Sequence, residues 1–243
     1  MAHCPVPVRD DFSAAHALFL TRLSMPGTWW TGAERVAIAA ATRSARACVF
    51  CEERKAALSP YAVSGTHTID PQFAGILPTA IIDIIHLATT DATRMTQAAI
   101  EKLADEGLSD AHYVEALGIT AAIRSVDQAC RGLGAPLHQL PTPIEGEPSR
   151  VRPADAAPGE AFIPMLPADY PAAPNDDLWD ELGAFGLRAM SLVPDAVRDL
   201  LLLSAAQYVG IDVAFDMSKG RTLGREQMEL LAGRVSAIND CFY

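Results

Sequence analysis

The chain has no run of lysine or arginine. Its 19 basic residues face 30 acidic ones, a formal net charge of −11, so it repels a phosphate backbone and nucleic acid is not an expected partner. Long apolar runs are missing too. The most apolar stretch, 73–88, is short and is broken by Pro78, Asp83 and His86, which argues against a membrane span. The N-terminal Met1 to Pro5 has neither the basic region nor the apolar core of a signal peptide, and the expected location is cytoplasmic. Five cysteines with one close pair are too few for a secreted disulfide framework. No segment alternates with period two for long enough to argue a sheet. Half the residues are apolar and only 7% aromatic, which suits an aliphatic helical core, so the expected class is all-α.

Helical spacing is plain in several places. Phe12, Ala15, Leu18, Phe19 and Leu23 repeat over 10–24, and Pro26-Gly27 ends that run. Thr31 with Glu34 three residues on is a capping box that opens a helix leading to Cys48. A further helix begins at the cysteine pair and stops at Ser59-Pro60, and a loop over 60–70 follows. Helices are then expected over 71–88 and 93–106. Past Gly107, a cap at Leu108-Ser109-Asp110 opens a long helix carrying Ile119, Ile123, Val126, Cys130 and Leu133. Gly134 and Pro136 close it. Ten of the seventeen prolines fall between Pro136 and Pro174, without apolar periodicity, which reads as an extended connector over the surface. Helices over 176–190, 195–209 and 223–240 complete the chain, the last with an apolar stripe of Met228, Leu231, Val235 and Ile238.

The layout divides into a helical module over 1–140, a proline-rich strap over 141–175, and a second, truncated module over 176–243. The second module carries an imperfect copy of one stretch of the first. Aligning Cys48 with Cys241 sets Ala39 against Ala232, Ile38 against Leu231 and Phe50 against Tyr243.

The chemistry concentrates at Cys48-Val49-Phe50-Cys51. A Cys-x-x-Cys on the first turn of a helix puts both sulfurs on one face, close enough to bridge. The helix N-terminus and the cations Arg43, Arg46 and Arg54 favour the thiolate of Cys48. Three readings stay open: a redox dithiol, two structural cysteines, or half a zinc site. The zinc reading needs two more ligands, and no second Cys-x-x-Cys or closely spaced histidine pair supplies them, so neither metal nor cofactor is expected. Cys130 reads as core. His67 in a loop and His86 on an apolar helix read as solvated or structural side chains. Trp29 and Trp30 read as staples of the fold.

These residues resemble the alkylhydroperoxidase D-like and carboxymuconolactone decarboxylase-like family. Its pattern is a Glu, eleven residues, Cys-x-x-Cys at a helix start, then a His four residues further. Supporting stretches run from Leu108-Ser109-Asp110-Ala111 to Leu133-Gly134-Ala135-Pro136-Leu137, and over Ser191-Leu192-Val193-Pro194-Asp195-Ala196. The likeness spans roughly 10–140 and 180–243. It implies the helical fold of that family and a homo-oligomer, for which the apolar character of helices 73–88 and 195–209 makes them the expected contact faces. It also implies peroxide as substrate and an external thiol or dithiol as reductant. In the family the second cysteine attacks the peroxide, the first resolves it, and the Glu and His relay the proton through a water.

Carried onto this chain, the relay is incomplete. Cys48 and Cys51 match, but Val36 and Lys55 stand at the Glu and His positions. In the second copy Glu229 and Cys241 match with the family separation, and the remaining positions would follow Tyr243. The resemblance therefore implies Cys48, Cys51, Glu229 and Cys241 as site residues, with Glu229-Cys241 the principal site and Cys48-Cys51 an accessory dithiol. A selenocysteine after Tyr243, in a returning helix, is the expectation that would complete the second copy. Two other readings compete: a helical oligomer using Cys48-Cys51 as a redox-sensing clip, and a cysteine-independent lyase using His67 and Glu115.

Overall fold

Local capping chemistry sets where the helices begin. The protein is described by a computed structural model covering residues 4–68, 70, 74–169, 174–179, 183–210, 216–219 and 222–238. Helix α1 (Asp10–Ser24) buries Ala15, Phe19 and Leu23 on one face and opens with two acids, Asp10 and Asp11. Helix α2 (Gly32–Ala45) starts at a complete capping box: the Thr31 side chain accepts the Glu34 N–H, and the Glu34 carboxylate accepts the Thr31 N–H at 2.8 Å. Cys48 is the N-cap of α3 (Val49–Ala56). Gly107 ends the turn before α6 at φ 74, and Ser109 caps α6 (Asp110–Gly132) through His112. Pro194 is the first residue of α8 (Pro194–Gln207), where its missing N–H costs nothing.

Helix α6 is the axis of the fold. It packs against α2, against α4 (Thr79–Thr90) and against α8, while α1 lies across α2 and α8. Phe19, Ile38 and Ile123 share one buried apolar cluster with Leu166, Leu192, Val197 and Leu203. Among the described residues no strand forms, and Ala157 and Met165 make one isolated antiparallel bridge. No described helix is long and apolar enough to cross a membrane.

A polar joint locks three helices together. Gln207 Nε2 donates to His16 Nε2 at 2.9 Å, and its Oε1 accepts the Ser125 hydroxyl at 2.5 Å. His16 Nε2 is then an acceptor, so Nδ1 carries the proton toward His138 Nε2 at 3.3 Å. Elsewhere the Arg35 guanidinium bonds the Glu115 carboxylate, with both groups buried. The Trp29 N–H also donates to Glu115 at 2.5 Å. Trp30 is buried and donates Nε1–H to the His112 carbonyl at 3.0 Å, so the tandem tryptophans do staple this end of the bundle.

Several elements depart from the sequence reading. Helix α4 starts at Thr79 because Pro78 disfavours helical backbone at Leu77 and is itself an extended N-cap, φ −58 and ψ 147; residues 71–73 of the expected helix lie outside the described residues. The span 93–106 is divided. Thr96, with extended φ −126 and ψ 155, caps α5 (Gln97–Glu101), and tight 3-10 turns flank it at Ala92–Arg94 and Lys102–Glu106. Of the helix expected over 176–190, only α7 (Phe185–Arg188) forms among the described residues. There the Gly183 N–H bonds the Ala168 carbonyl of the connector. The connector itself does more than cover the surface, since Ile163 and Leu166 enter the core. In α9 (Arg225–Ile238) only Met228 of the apolar stripe is buried, and Leu231, Val235 and Ile238 are more than half exposed.

Candidate functional site

Three pieces of chain converge on the cysteine pair. Helix α3 supplies Cys48 at its N-cap, then Cys51 and Arg54. The loop after the Pro60–Ala62 turn supplies His67 and Thr68. Helix α4 supplies Asp83 and His86, three residues apart and therefore on one face, among the buried Ile81, Ile82, Ile84 and Ile85. Cys48 and Cys51 are 2% and 5% exposed, and His86 is 0%.

The contacts form one connected network. His67 Nδ1 lies 3.4 Å from Cys51 Sγ and 3.7 Å from Cys48 Sγ. Its Nε2–H donates to Asp83 Oδ1 at 2.7 Å, and Arg54 donates to the same oxygen at 2.9 Å. His86 Nδ1 lies 3.3 Å from Cys51 Sγ, while its buried Nε2 has no hydrogen-bond partner among the described residues. The Thr68 N–H donates to Cys48 Sγ at 3.4 Å. The rings of His67 and His86 stand 4.1 Å apart, and Phe50 packs edge-on against His67.

The two sulfurs are driven in opposite directions. Burial raises the Cys48 thiol, but the N–H groups of Thr68 and Cys51 and the His67 ring outweigh it, and the pKa falls to about 6. Burial and the neighbouring Cys48 push Cys51 up to about 12. Burial lowers His67, yet Asp83 and Cys48 together raise it above its ordinary value. His67 holds the Asp83 carboxyl below its usual range against the effect of burial, and Arg54 helps. Burial first, and then the neighbouring His67, bring His86 down to about 4. At neutral pH the site therefore favours a Cys48 thiolate, an Asp83 carboxylate, a Cys51 thiol and a neutral His86, with Asp83 and Cys48 biasing His67 toward its protonated form.

Some residues read as functional from sequence stand elsewhere. Arg43 makes a two-pronged ion pair with Asp127 at 2.7 and 2.9 Å, and the thiolate-favouring groups at Cys48 are backbone N–H groups and His67 instead of arginines. Glu229 on α9 bonds the Tyr208 hydroxyl and the Arg225 guanidinium, the latter at 2.6 Å. Cys241 lies outside the described residues. Glu115, weighed as a lyase acid, is engaged by Arg35 and Trp29. Cys130 is fully buried on α6, as its place on the apolar stripe implies.

His67, Asp83 and His86 are the residues that spacing alone did not assign to the site. One signal for two of them is present in the sequence: a carboxylate and an imidazole three residues apart on an otherwise apolar helix. His67 has none, since a loop closure over nineteen residues brings it to Cys48. Among the described residues, two groups have metal-ligand chemistry. Cys48, Cys51, His67 and His86 place their ligand atoms within 4.8 Å of one another, as do His16, Cys130 and His138. In the second group the nitrogens of His16 are already taken by Gln207 and His138.

Fold and site together define an all-helical protein that holds a buried cysteine pair against a histidine–aspartate pair. No protein-family model, curated protein or solved structure matches this chain.

Proposed function

We propose that the chain is a thiol-dependent peroxidase or disulfide reductase working through Cys48 and Cys51. The supporting observation is the split between the sulfurs: Cys48 is held as thiolate beside the His67–Asp83 pair, and Cys51 is held as thiol. The Cys48 thiolate attacks one peroxide oxygen and becomes a sulfenic acid as the O–O bond breaks. The departing oxygen takes a proton from His67 and leaves as water or alcohol. Cys51 then attacks the Cys48 sulfur, loses its proton and expels water, leaving a Cys48–Cys51 disulfide. One external dithiol, or two external thiols, reduces that disulfide, giving two electrons and two protons to restore both cysteines and becoming a disulfide itself.

This reading agrees with the resemblance to alkylhydroperoxidase D-like proteins in its dithiol and differs in two respects. His67 and Asp83 take the proton-relay role that Val36 and Lys55 leave empty. The attacking sulfur is the first cysteine of the pair, where the family uses the second. A homo-oligomer, which the family implies, and a cytoplasmic location, expected from the sequence, belong to the same proposal.

A second reading, a redox-sensing clip without turnover, is favoured by the burial of both sulfurs. Peroxide consumption with a dithiol reductant separates the two. The peroxidase reading requires turnover in the parent chain, its loss in Cys48→Ser, and trapping of a sulfenic acid in Cys51→Ser. A parent chain that forms one disulfide and never turns over supports the clip.

A further inference from the structure

We infer that Cys48, Cys51, His67 and His86 form a tetrahedral binding site for a zinc-class divalent cation. The four ligand atoms lie within 4.8 Å of one another. Zinc bonds of about 2.3 Å to sulfur and about 2.0–2.1 Å to nitrogen place a sulfur and a nitrogen roughly 3.6 Å apart across a tetrahedron. Three of the four sulfur–nitrogen separations are 3.3, 3.4 and 3.7 Å, and the fourth, Cys48 to His86, lies within 4.8 Å.

Hydrogen bonding alone accounts poorly for this convergence. His67 Nδ1 faces two sulfurs, and a single N–H or lone pair aligns with only one of them, whereas a cation at the centre satisfies all four atoms. The surroundings are those of a closed metal site. The far nitrogen of His67 is fixed by Asp83, which Arg54 holds in turn. A carboxylate behind a ligating imidazole sets its orientation and strengthens it as a ligand. Cys48, Cys51 and His86 are almost wholly shielded from water. Two thiolates, two neutral imidazoles and one divalent cation sum to zero charge, which removes most of the cost of burying ions there. Sulfur and imidazole ligands select zinc-like ions over magnesium or calcium.

The inference stands on geometry and does not need the redox reading. The two meet at one consequence: a bound cation occupies both sulfurs, so it must protect the dithiol from peroxide.

The test is cobalt(II) titration of the full reduced chain, stripped with a chelator and kept free of oxygen. One equivalent should give a thiolate-to-cobalt charge-transfer band and the intense visible bands of tetrahedral cobalt, both abolished by added zinc. His86→Gln should lose the tetrahedral spectrum. Asp83→Asn, at a half-exposed outer position, should retain it with affinity lower by about 10- to 100-fold. Circular dichroism checks that each variant is folded, and if His86→Gln is not, Asp83→Asn and Cys51→Ser carry the test. No charge-transfer band in the parent, a weak octahedral spectrum, or binding unchanged in the folded variants would overturn the site. Cobalt uptake is read without turnover. A chain that binds cobalt and consumes no peroxide keeps the metal site and loses the peroxidase; the reverse result does the opposite.

Discussion

His67 is bonded to Asp83 through Nε2 at 2.7 Å, and that bond leaves Nδ1 as the nitrogen that faces the cysteine pair. The carboxylate accepts only, so the tautomer is fixed and a proton on Nδ1 becomes the one available to the sulfurs. Both the thiolate on Cys48 and the proposed proton delivery depend on this arrangement.

The first prediction concerns thiol ionisation in reduced, metal-free protein. Cys48 should titrate near pH 6, protonated below and thiolate above, while Cys51 stays protonated to about 12. Thiolate ultraviolet absorbance against pH reads this even for buried sulfurs. Asp83→Asn removes the partner that holds the His67 proton, so the Cys48 midpoint should move up toward the ordinary value of about 8.5. A midpoint unchanged in that variant would mean that backbone N–H groups act alone.

How much of this was legible in the sequence follows from the range of each signal. The caps at Thr31 and Ser109 and the break at Gly107 are local, and all three stand where the sequence puts them. The start of α4 was misplaced because apolar spacing runs on through Pro78, whose backbone does not. The sequence predicts continuous helices over 93–106 and 176–190, and capping at Thr96 and pairing of Gly183 with the connector prevail instead. The cysteine pair was visible as a motif. The tie of its histidines to that motif is not, because His67 and His86 meet it only once a loop closes and α4 packs alongside α3.

The second prediction concerns the buried Arg35–Glu115 pair. Glu115→Gln leaves the guanidinium buried without a counter-charge and should cost about 3–5 kcal/mol in denaturant unfolding. The Cys48 titration should not move. The double change Arg35→Met with Glu115→Leu should cost less than Glu115→Gln alone.

The third concerns the α6–α8 contact. A Cβ added at Gly118 would stand 2.7 Å from the Ala196 Cβ, a rigid atom close to backbone. Gly118→Ala should therefore destabilise by about 1–3 kcal/mol through overpacking, against its helical propensity. Ala196→Gly in the same chain should recover part of the loss, read as a positive coupling in a double-mutant cycle.

The fourth concerns acid stability. His16 is fully buried, and burial first, with His138 adding to it, lowers its pKa from 6.5 to about 4. The folded value lies below the unfolded one. The stability from the neutral ring is thus complete above pH 6.5 and is lost as pH falls toward 4, up to about 3 kcal/mol. Urea unfolding at several pH values should show a shallower acid loss in His16→Gln than in the parent. Equal slopes would remove His16 from the account.

The most direct test of the central claim is stoichiometric. The fully reduced, metal-free chain is treated with one equivalent of peroxide, and its intact mass and cysteine peptides are then mapped. The account predicts loss of two hydrogens per chain, with Cys48 linked to Cys51 and Cys130 still a free thiol. A chain that stays reduced, or that accumulates oxygen on Cys48 without forming the link, would contradict it.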